Sequence, residues 1–265
     1  MPQVIVSMTS YGKNTYRLAP KAIRSLLNQT VKPDRVILWL GYGSRVNIYL
    51  RILKLKGLEI RFCDDIGPST KILPALENFP LDTIITADDD IIYPSDWLVR
   101  LLEAHRRFPR RIIAHRAHAI KLNDKQSVVA SYNKWEKCIN PKSEAWSSKQ
   151  WNLFPTGVGG VLYPAGSLPK RALDLAELAL LTPKNDDIWL WAMANINKAY
   201  FKGMPPYVVL RDGYSKDLNF VNPYREQKSL GTLGGSNVLS GGNDKQMMNV
   251  IKAIPELKDT LAKMV

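Results

Sequence analysis

The run Thr83-Ile84-Ile85-Thr86-Ala87-Asp88-Asp89-Asp90-Ile91-Ile92-Tyr93-Pro94 drives an apolar, β-branched segment straight into three adjacent carboxylates. Its apolar part, residues 82–87, reads as a strand buried on both faces, the kind found in parallel sheets. Three like charges in a row repel one another, and a buried charge needs a partner. In a chain of net charge +13, the natural partner is a bound divalent cation. Such a cation holds anions, phosphate above all.

Working outward, the first 115 residues alternate strand and helix. Residues 3–8, 34–40, 58–63 and 111–114 are further short apolar strands. Residues 16–29 show helical spacing at Leu18, Ala22 and Leu26. Asn47 is placed to cap a helix running to Lys56, residues 69–78 are helical with Pro74 limiting or kinking them, and Ser95 is placed to cap a helix to Arg107. Val- and Ile-rich strands each followed by a helix imply an α/β fold with a mostly parallel central sheet and helices on both faces. Ligands of such sheets sit at the carboxyl ends of the strands, where Asp64-Asp65 and Asp88-Asp89-Asp90 fall.

After residue 116 the pattern changes to short strands, Gly and Pro turns and several tryptophans. Helices are expected over 170–181 and 187–201, and a last strand over 208–211. Residues 212–242 are rich in Gly, Asn and Ser, as a lid loop is. From Asp244 a tail carries apolar residues at Met247, Val250, Ile251, Ile254, Leu257 and Leu261, interrupted by Pro255. It either packs on the domain or lies on a membrane surface. The 265 residues read as one domain: a nucleotide-binding half (1–115), an acceptor half (116–211), and a loop and tail (212–265).

Composition narrows the function. No apolar run reaches the roughly 20 residues of a membrane span. The start, Met1-Pro2-Gln3-Val4-Ile5-Val6, lacks the pattern of a signal peptide and reads as a first strand. Two cysteines, Cys63 and Cys138, give neither a disulfide framework nor a zinc site, which points to a reducing cytoplasm. The positive charge calls for anionic partners: phosphorylated substrates, an anionic membrane face or nucleic acid. Aromatics are not interleaved with the densest basic run, residues 105–111, so nucleic acid is the weakest of the three. That run is either a solvated helix end or a contact for anionic head groups or a phosphorylated acceptor.

Four constellations carry chemistry. Along a strand, Asp88 and Asp90 point together and Asp89 points away, so the first and third can grip one hard cation. In Asp64-Asp65-Ile66-Gly67-Pro68-Ser69-Thr70-Lys71, Gly67-Pro68 makes a turn, Ser69 or Thr70 can cap the next helix, and Lys71 either reaches a nucleotide phosphate or is solvated. In residues 155–163, Gly157, Gly159 and Gly160 either admit close approach to a ligand or mark a bulge or tight strand crossing. Asp186-Asp187 opens a helix apolar nearly all round. One cap residue suffices there, so a second task, such as general base, stands beside capping. Of the three histidines, His115 and His118 are more readily structural than metal-ligating.

In this order, the strand end Met8-Thr9-Ser10-Tyr11, the Gly67-to-Lys71 turn, Ala87-Asp88-Asp89-Asp90, the glycine-rich strand and Asn185-Asp186-Asp187 resemble the GT-A fold glycosyltransferases. The likeness is greatest to family 2-like bacterial enzymes of surface polysaccharide or glycan synthesis, and it covers roughly residues 3–211. The resemblance implies a Mn²⁺ or Mg²⁺ ion held by Asp88 and Asp90 on the diphosphate of a nucleotide-sugar donor. It implies donor or nucleotide contacts at Thr9, Asp65, Lys71, Asp88, Asp89, Gly159 and Gly160. It implies catalysis by the Asp186-Asp187 pair, with Asp187 as the base that deprotonates an acceptor hydroxyl in an inverting transfer. It implies an acceptor that is a glycan or is lipid-linked; a cytoplasmic enzyme is expected, either free or in peripheral contact with an anionic membrane. The second strand ends Trp39-Leu40-Gly41-Tyr42, without the acidic residue many relatives carry there. No histidine follows His118, so Asp212 or a water is expected as a further metal ligand. A metal-dependent nucleotidyltransferase needs the same cation and phosphate grip and is the alternative reading. A non-catalytic basic protein would explain the charge but leave the acidic triplet without a purpose.

Overall fold

The structure is a computed structural model that describes residues 2–123, 128–211 and 241–264. In chain order its elements are β1 (Val4–Thr9), α1 (Asn14–Arg17), α2 (Ala19–Leu27), β2 (Arg35–Gly41), α3 (Ile48–Lys54), β3 (Leu58–Cys63), α4 (Leu73–Asn78), β4 (Thr83–Ala87), α5 (Trp97–Arg107) and β5 (Ile112–Ala114). They continue as β6 (Ala117–Ala119), α6 (Glu144–Ser147), β7 (Leu153–Pro155), β8 (Val161–Tyr163), α7 (Leu175–Leu181), α8 (Asp186–Ile196), α9 (Lys198–Phe201), β9 (Tyr207–Val209), α10 (Gly242–Ala253) and α11 (Leu257–Ala262). Seven strands form one sheet in the order β3-β2-β1-β4-β8-β5-β9, and β6 pairs with β7 in a small second sheet. Among the described residues only β8 runs antiparallel in the large sheet, wedged between β4 and β5. This is the mostly parallel α/β architecture expected of the sequence.

Successive residues of the central strands enter different cores. Ile5, Ile37 and Ile84 pack on one face with α4, α7, α8, α10 and α11. Val6, Leu38 and Ile85 pack on the other with α2, α3 and α5. Burial on both faces is why these strands read as unbroken apolar runs. Helix α8 is buried nearly throughout, including Trp189 and Trp191. The tail packs on the domain: Met247, Val250, Ile254, Leu257 and Leu261 are all buried, which removes them from any membrane surface.

Several local expectations shift. Asp96, not Ser95, precedes α5, and it makes no side-chain cap bond. Neither Ser69 nor Thr70 caps α4: Gly67–Lys71 forms its own 3₁₀ turn, where Thr70 Oγ1 accepts from the Ile66 amide at 3.0 Å, and α4 begins afresh at Leu73-Pro74. The expected helix over 170–181 is a 3₁₀ turn, Lys170–Leu173, and then α7, with Asp174 capping α7 through the Glu177 amide. Asn197 divides the expected 187–201 helix into α8 and α9. In the basic run Arg106, Arg107 and Arg110 are exposed, with Arg107 pairing with Glu144 at 3.5 Å and Arg110 donating to the Tyr200 carbonyl, while Arg111 is buried. Residues 212–240, which hold Asp212 and the expected lid, lie outside the described residues.

The glycine stretch leads into β8 under a tight constraint. Gly160 has φ +88°, and a Cβ there would lie 2.5 Å from the Trp97 ring and 2.9 Å from the Thr86 carbonyl. The Gly159 carbonyl accepts from Trp97 Nε1 at 2.6 Å. Gly160→Ala is therefore expected to lower stability by about 3 kcal/mol or more, read from urea unfolding, because both the backbone conformation and the Trp97 contact oppose a side chain.

Candidate active site

Strands β1, β2 and β3 are laid down outward in one direction, and β4 then returns to the other side of β1. The crevice above β1 and β4 is thus the topological switch point, where open parallel sheets bind ligands. β4 ends at Ala87, opposite Met8, so the three aspartates stand in the turn beyond the ladder and strand alternation does not set their directions. Ser10 Oγ donates to Asp89 Oδ2 at 2.5 Å, tying the ends of β1 and β4 together across the switch point. The Asp88 amide donates to Tyr93 Oη at 2.7 Å, which curls the turn.

Lys71 ends the 3₁₀ turn after β3, and its backbone is anchored by Ser7 Oγ donating to its carbonyl at 2.7 Å. Its side chain is buried. The ammonium lies 3.0 Å from Asp88 Oδ1 and 3.0 Å from Asp186 Oδ2. Lys71 therefore does not project into solvent from a helix start but ties two carboxylates together from within. Burial alone would lower its pKa. Asp186, then Asp88 and Asp187, outweigh burial and hold it well above its ordinary value.

At the start of α8, Asn185 caps the helix by accepting from the Ile188 amide. The two aspartates are thereby released from capping. Asp186 is buried against Lys71, with Oδ2 close to the ammonium but making no hydrogen bond. Asp187 Oδ1 accepts from the Gly157 amide at 2.9 Å. Removal from water and the neighbouring Asp186 raise the Asp187 pKa to about 7. Gly157 lies against both charged groups, since a Cβ there would stand 2.7 Å from Lys71 Nζ and 3.1 Å from Asp187 Oδ1. Tyr163 of β8 is buried beside the same charges, and burial, then Asp187 and Asp186, hold its phenol well above the usual range.

Among the described residues, Lys71 thus faces Asp88, Asp186 and Asp187, and Asp89 and Asp90 follow Asp88 in the same turn. Burial, then the neighbouring Asp88 charge, push Asp89 and Asp90 each up to about 6. Carboxylate oxygens are the donors that a hard divalent cation takes. Among the described residues, no three carboxylate, imidazole or thiolate groups converge as a ready-made metal cluster.

The other expected site residues lie around this crevice with local tasks. Thr9 Oγ1 donates to the Trp39 carbonyl at 3.0 Å. Asp65 is exposed, and its Oδ1 accepts from the Gly67 amide at 2.9 Å, shaping the turn that delivers Lys71. Gly159 and Gly160 meet Trp97 rather than the charge cluster. His118 accepts from the Cys138 amide through Nδ1 and faces Tyr132 Oη through Nε2, so both ring nitrogens are engaged. Ser10, Tyr93, Gly157 and Tyr163 were not picked out as site residues from sequence. Two carried a signal: Gly157 as the first glycine of its stretch, and Ser10 within the strand end Met8-Thr9-Ser10-Tyr11. An open groove of about 630 Å³ runs along the edge strand β3, lined by Trp39, Arg61, Phe62, Asp64, Glu77 and Leu173 among others, and by none of the cluster's residues.

No protein-family model matches the chain, and no curated protein matches it. Solved structures do. A structure of S. aureus TarS, residues 1–349, is 15% identical with a TM-score of 0.47, over 80% of this chain and 58% of that one. The same protein in complex with UDP-GlcNAc is 16% identical with a TM-score of 0.46, over 80% of this chain and 56% of that one. A 4-diphosphocytidyl-2C-methyl-D-erythritol synthase is 12% identical with a TM-score of 0.44, over 80% of this chain and 90% of that one. This chain spans less than two thirds of the TarS structures. At these identities the likeness concerns layout, not chemistry.

Proposed function

We propose that the chain is a metal-dependent glycosyltransferase. It would move a sugar from a nucleotide-diphosphate donor to a hydroxyl of a glycan or lipid-linked acceptor, with inversion. The observation that carries this reading is the convergence of Lys71, Asp88 and Asp186, from three distant segments, on the switch point of the sheet. Residues 1–115 supply the donor side of that crevice, and residues 116–211 supply the acidic pair.

Asp88 and Asp90 would hold a Mg²⁺ or Mn²⁺ ion, whose chemistry is to neutralise the diphosphate as it departs. Lys71 adds a fixed positive charge beside Asp88 that needs no reorganisation during the reaction. Thr9, Asp65 and Asp89 stand at the ends of β1, β3 and β4, on the nucleotide side of the crevice. Asp187, oriented by the Gly157 amide and raised toward neutrality, takes the proton of the attacking hydroxyl. Asp186 positions Lys71. Gly159 and Gly160, which the sequence offered for the sugar, serve instead to seat Trp97 beneath β8.

The test is release of nucleoside diphosphate from a panel of nucleotide sugars with Mn²⁺ present. One donor is expected to be turned over, metal-dependently, and Asp90→Ala is expected to abolish turnover with an unchanged far-ultraviolet spectrum. Pyrophosphate release from a nucleoside triphosphate and a sugar phosphate would establish the nucleotidyltransferase reading instead. Normal turnover by the Asp90→Ala variant would remove the metal from the mechanism.

A further inference from the structure

Helix α3 has two apolar faces. Leu50 and Leu53 point inward and are buried. Ile48, Tyr49, Ile52 and Leu55 face solvent with 62%, 61%, 46% and 88% of their surface exposed. Residues 48, 52 and 55 are spaced i, i+4, i+7, so the outward side chains form one stripe rather than scattered contacts. Isolated exposed apolar residues need no explanation, but a contiguous stripe does. The stripe continues past the helix start: Asn47 Nδ2 donates to the Thr15 carbonyl at 2.9 Å, which brings α1 and its half-exposed Tyr16 alongside.

The charge around the stripe identifies what covers it. From Arg35 to Leu58 the chain holds no aspartate or glutamate, while Arg45, Arg51, Lys54 and Lys56 flank the apolar side chains. Among the described residues none of these four is in an ion pair. A second copy of this chain would bring cations against cations. Nucleic acid would satisfy the charges but leave Ile48, Ile52 and Leu55 without a partner. An anionic bilayer satisfies both at once: the aliphatic side chains enter the head-group region, tyrosine sits at its level, and the basic residues meet lipid phosphates.

We propose that the outer face of α3, extended by α1, docks the protein on an anionic membrane surface. The sequence offered the tail or the basic run at 105–111 for that contact, but the fold buries the tail's apolar residues, and no large apolar side chain is exposed within the basic run. Tyr11 and Tyr42 follow β1 and β2 at the strand ends that also carry the charge cluster, and are 81% and 71% exposed. The docked face therefore borders the mouth of the crevice. Together with the proposed transfer reaction, this favours a lipid-linked acceptor presented at the same surface. The docking itself does not depend on that reaction.

Co-sedimentation with vesicles tests it, using pure phosphatidylcholine against equal parts of phosphatidylcholine and phosphatidylglycerol. Binding is expected only to the anionic vesicles. It should weaken about tenfold or more in Arg51→Gln/Lys54→Gln, and comparably in Tyr49→Ser/Leu55→Ser. The control Lys142→Gln/Lys149→Gln removes the same charge at the opposite edge of the sheet and should bind as the parent does. All altered side chains are exposed, so thermal melts should match the parent. Failure to bind anionic vesicles, or equal loss in the control, overturns the proposal. So does a parent that dimerises, or binds duplex DNA, through these same residues. Since vesicle binding is read without turnover, an inactive protein that still docks would fail the transferase reading alone.

Discussion

Replacing Asp187 by Asn should lower turnover by about 10²- to 10⁴-fold while leaving donor affinity nearly unchanged, the signature of a lost general base. The substitution keeps the shape of the side chain and leaves Oδ1 able to accept from the Gly157 amide, so the turn beneath the crevice should stay in place. The pH profile supplies the sharper discriminator. A base must be deprotonated to act, and burial beside Asp186 raises the Asp187 pKa to about 7. The parent rate should therefore climb as pH rises through about 7, and the residual rate of Asp187→Asn should lack that limb. A variant that keeps both its rate and its acid limb would show that another group takes the proton, or that the transfer proceeds with retention.

Lys71→Met should destabilise the fold by about 3–5 kcal/mol, measured by urea unfolding, and abolish activity. Its ammonium stands between Asp88 and Asp186, buried at 3.0 Å from each, so removing it leaves largely buried carboxylates without a counter-charge. Methionine fills most of the volume, which separates loss of charge from loss of packing. The double variant Lys71→Met/Asp186→Asn should recover more than half of the lost stability, because the stranded charge is then gone too. It should not recover activity, since the diphosphate would still lack its fixed cation. A cost below about 1 kcal/mol for Lys71→Met would mean that solvent reaches the cluster and that the bridge is a surface pair.

These two expectations mark where sequence and fold part company. The parallel strands were legible because burial on both faces leaves an unbroken apolar run, as in Val36 to Leu40. The Asn47 cap was legible because its partner, the Leu50 amide, lies three residues away. Misplaced boundaries were also local, but they depended on competition between neighbours: Pro74 and the Gly67–Lys71 turn split one expected helix into two short ones. At the site, the residue types were legible and their relations were not. Lys71 stood out beside a turn, yet nothing local revealed that its side chain faces inward. Asp186 and Asp187 were ambiguous between capping and chemistry until Asn185 was seen to take the cap.

The sequence by itself determined the parallel sheet, the deep burial of α8 and the concentration of carboxylates at strand ends, because each follows from the pattern of side chains within one segment. Only the tertiary structure decided that Lys71 bridges Asp88 and Asp186, that Gly157 is the glycine touching the charge cluster, and that α3 rather than the tail bares an apolar, basic face. Those outcomes depend on which strand returns beside β1 and which helix covers which face. Such placements are set by contacts between residues far apart in the chain, and no local spacing encodes them.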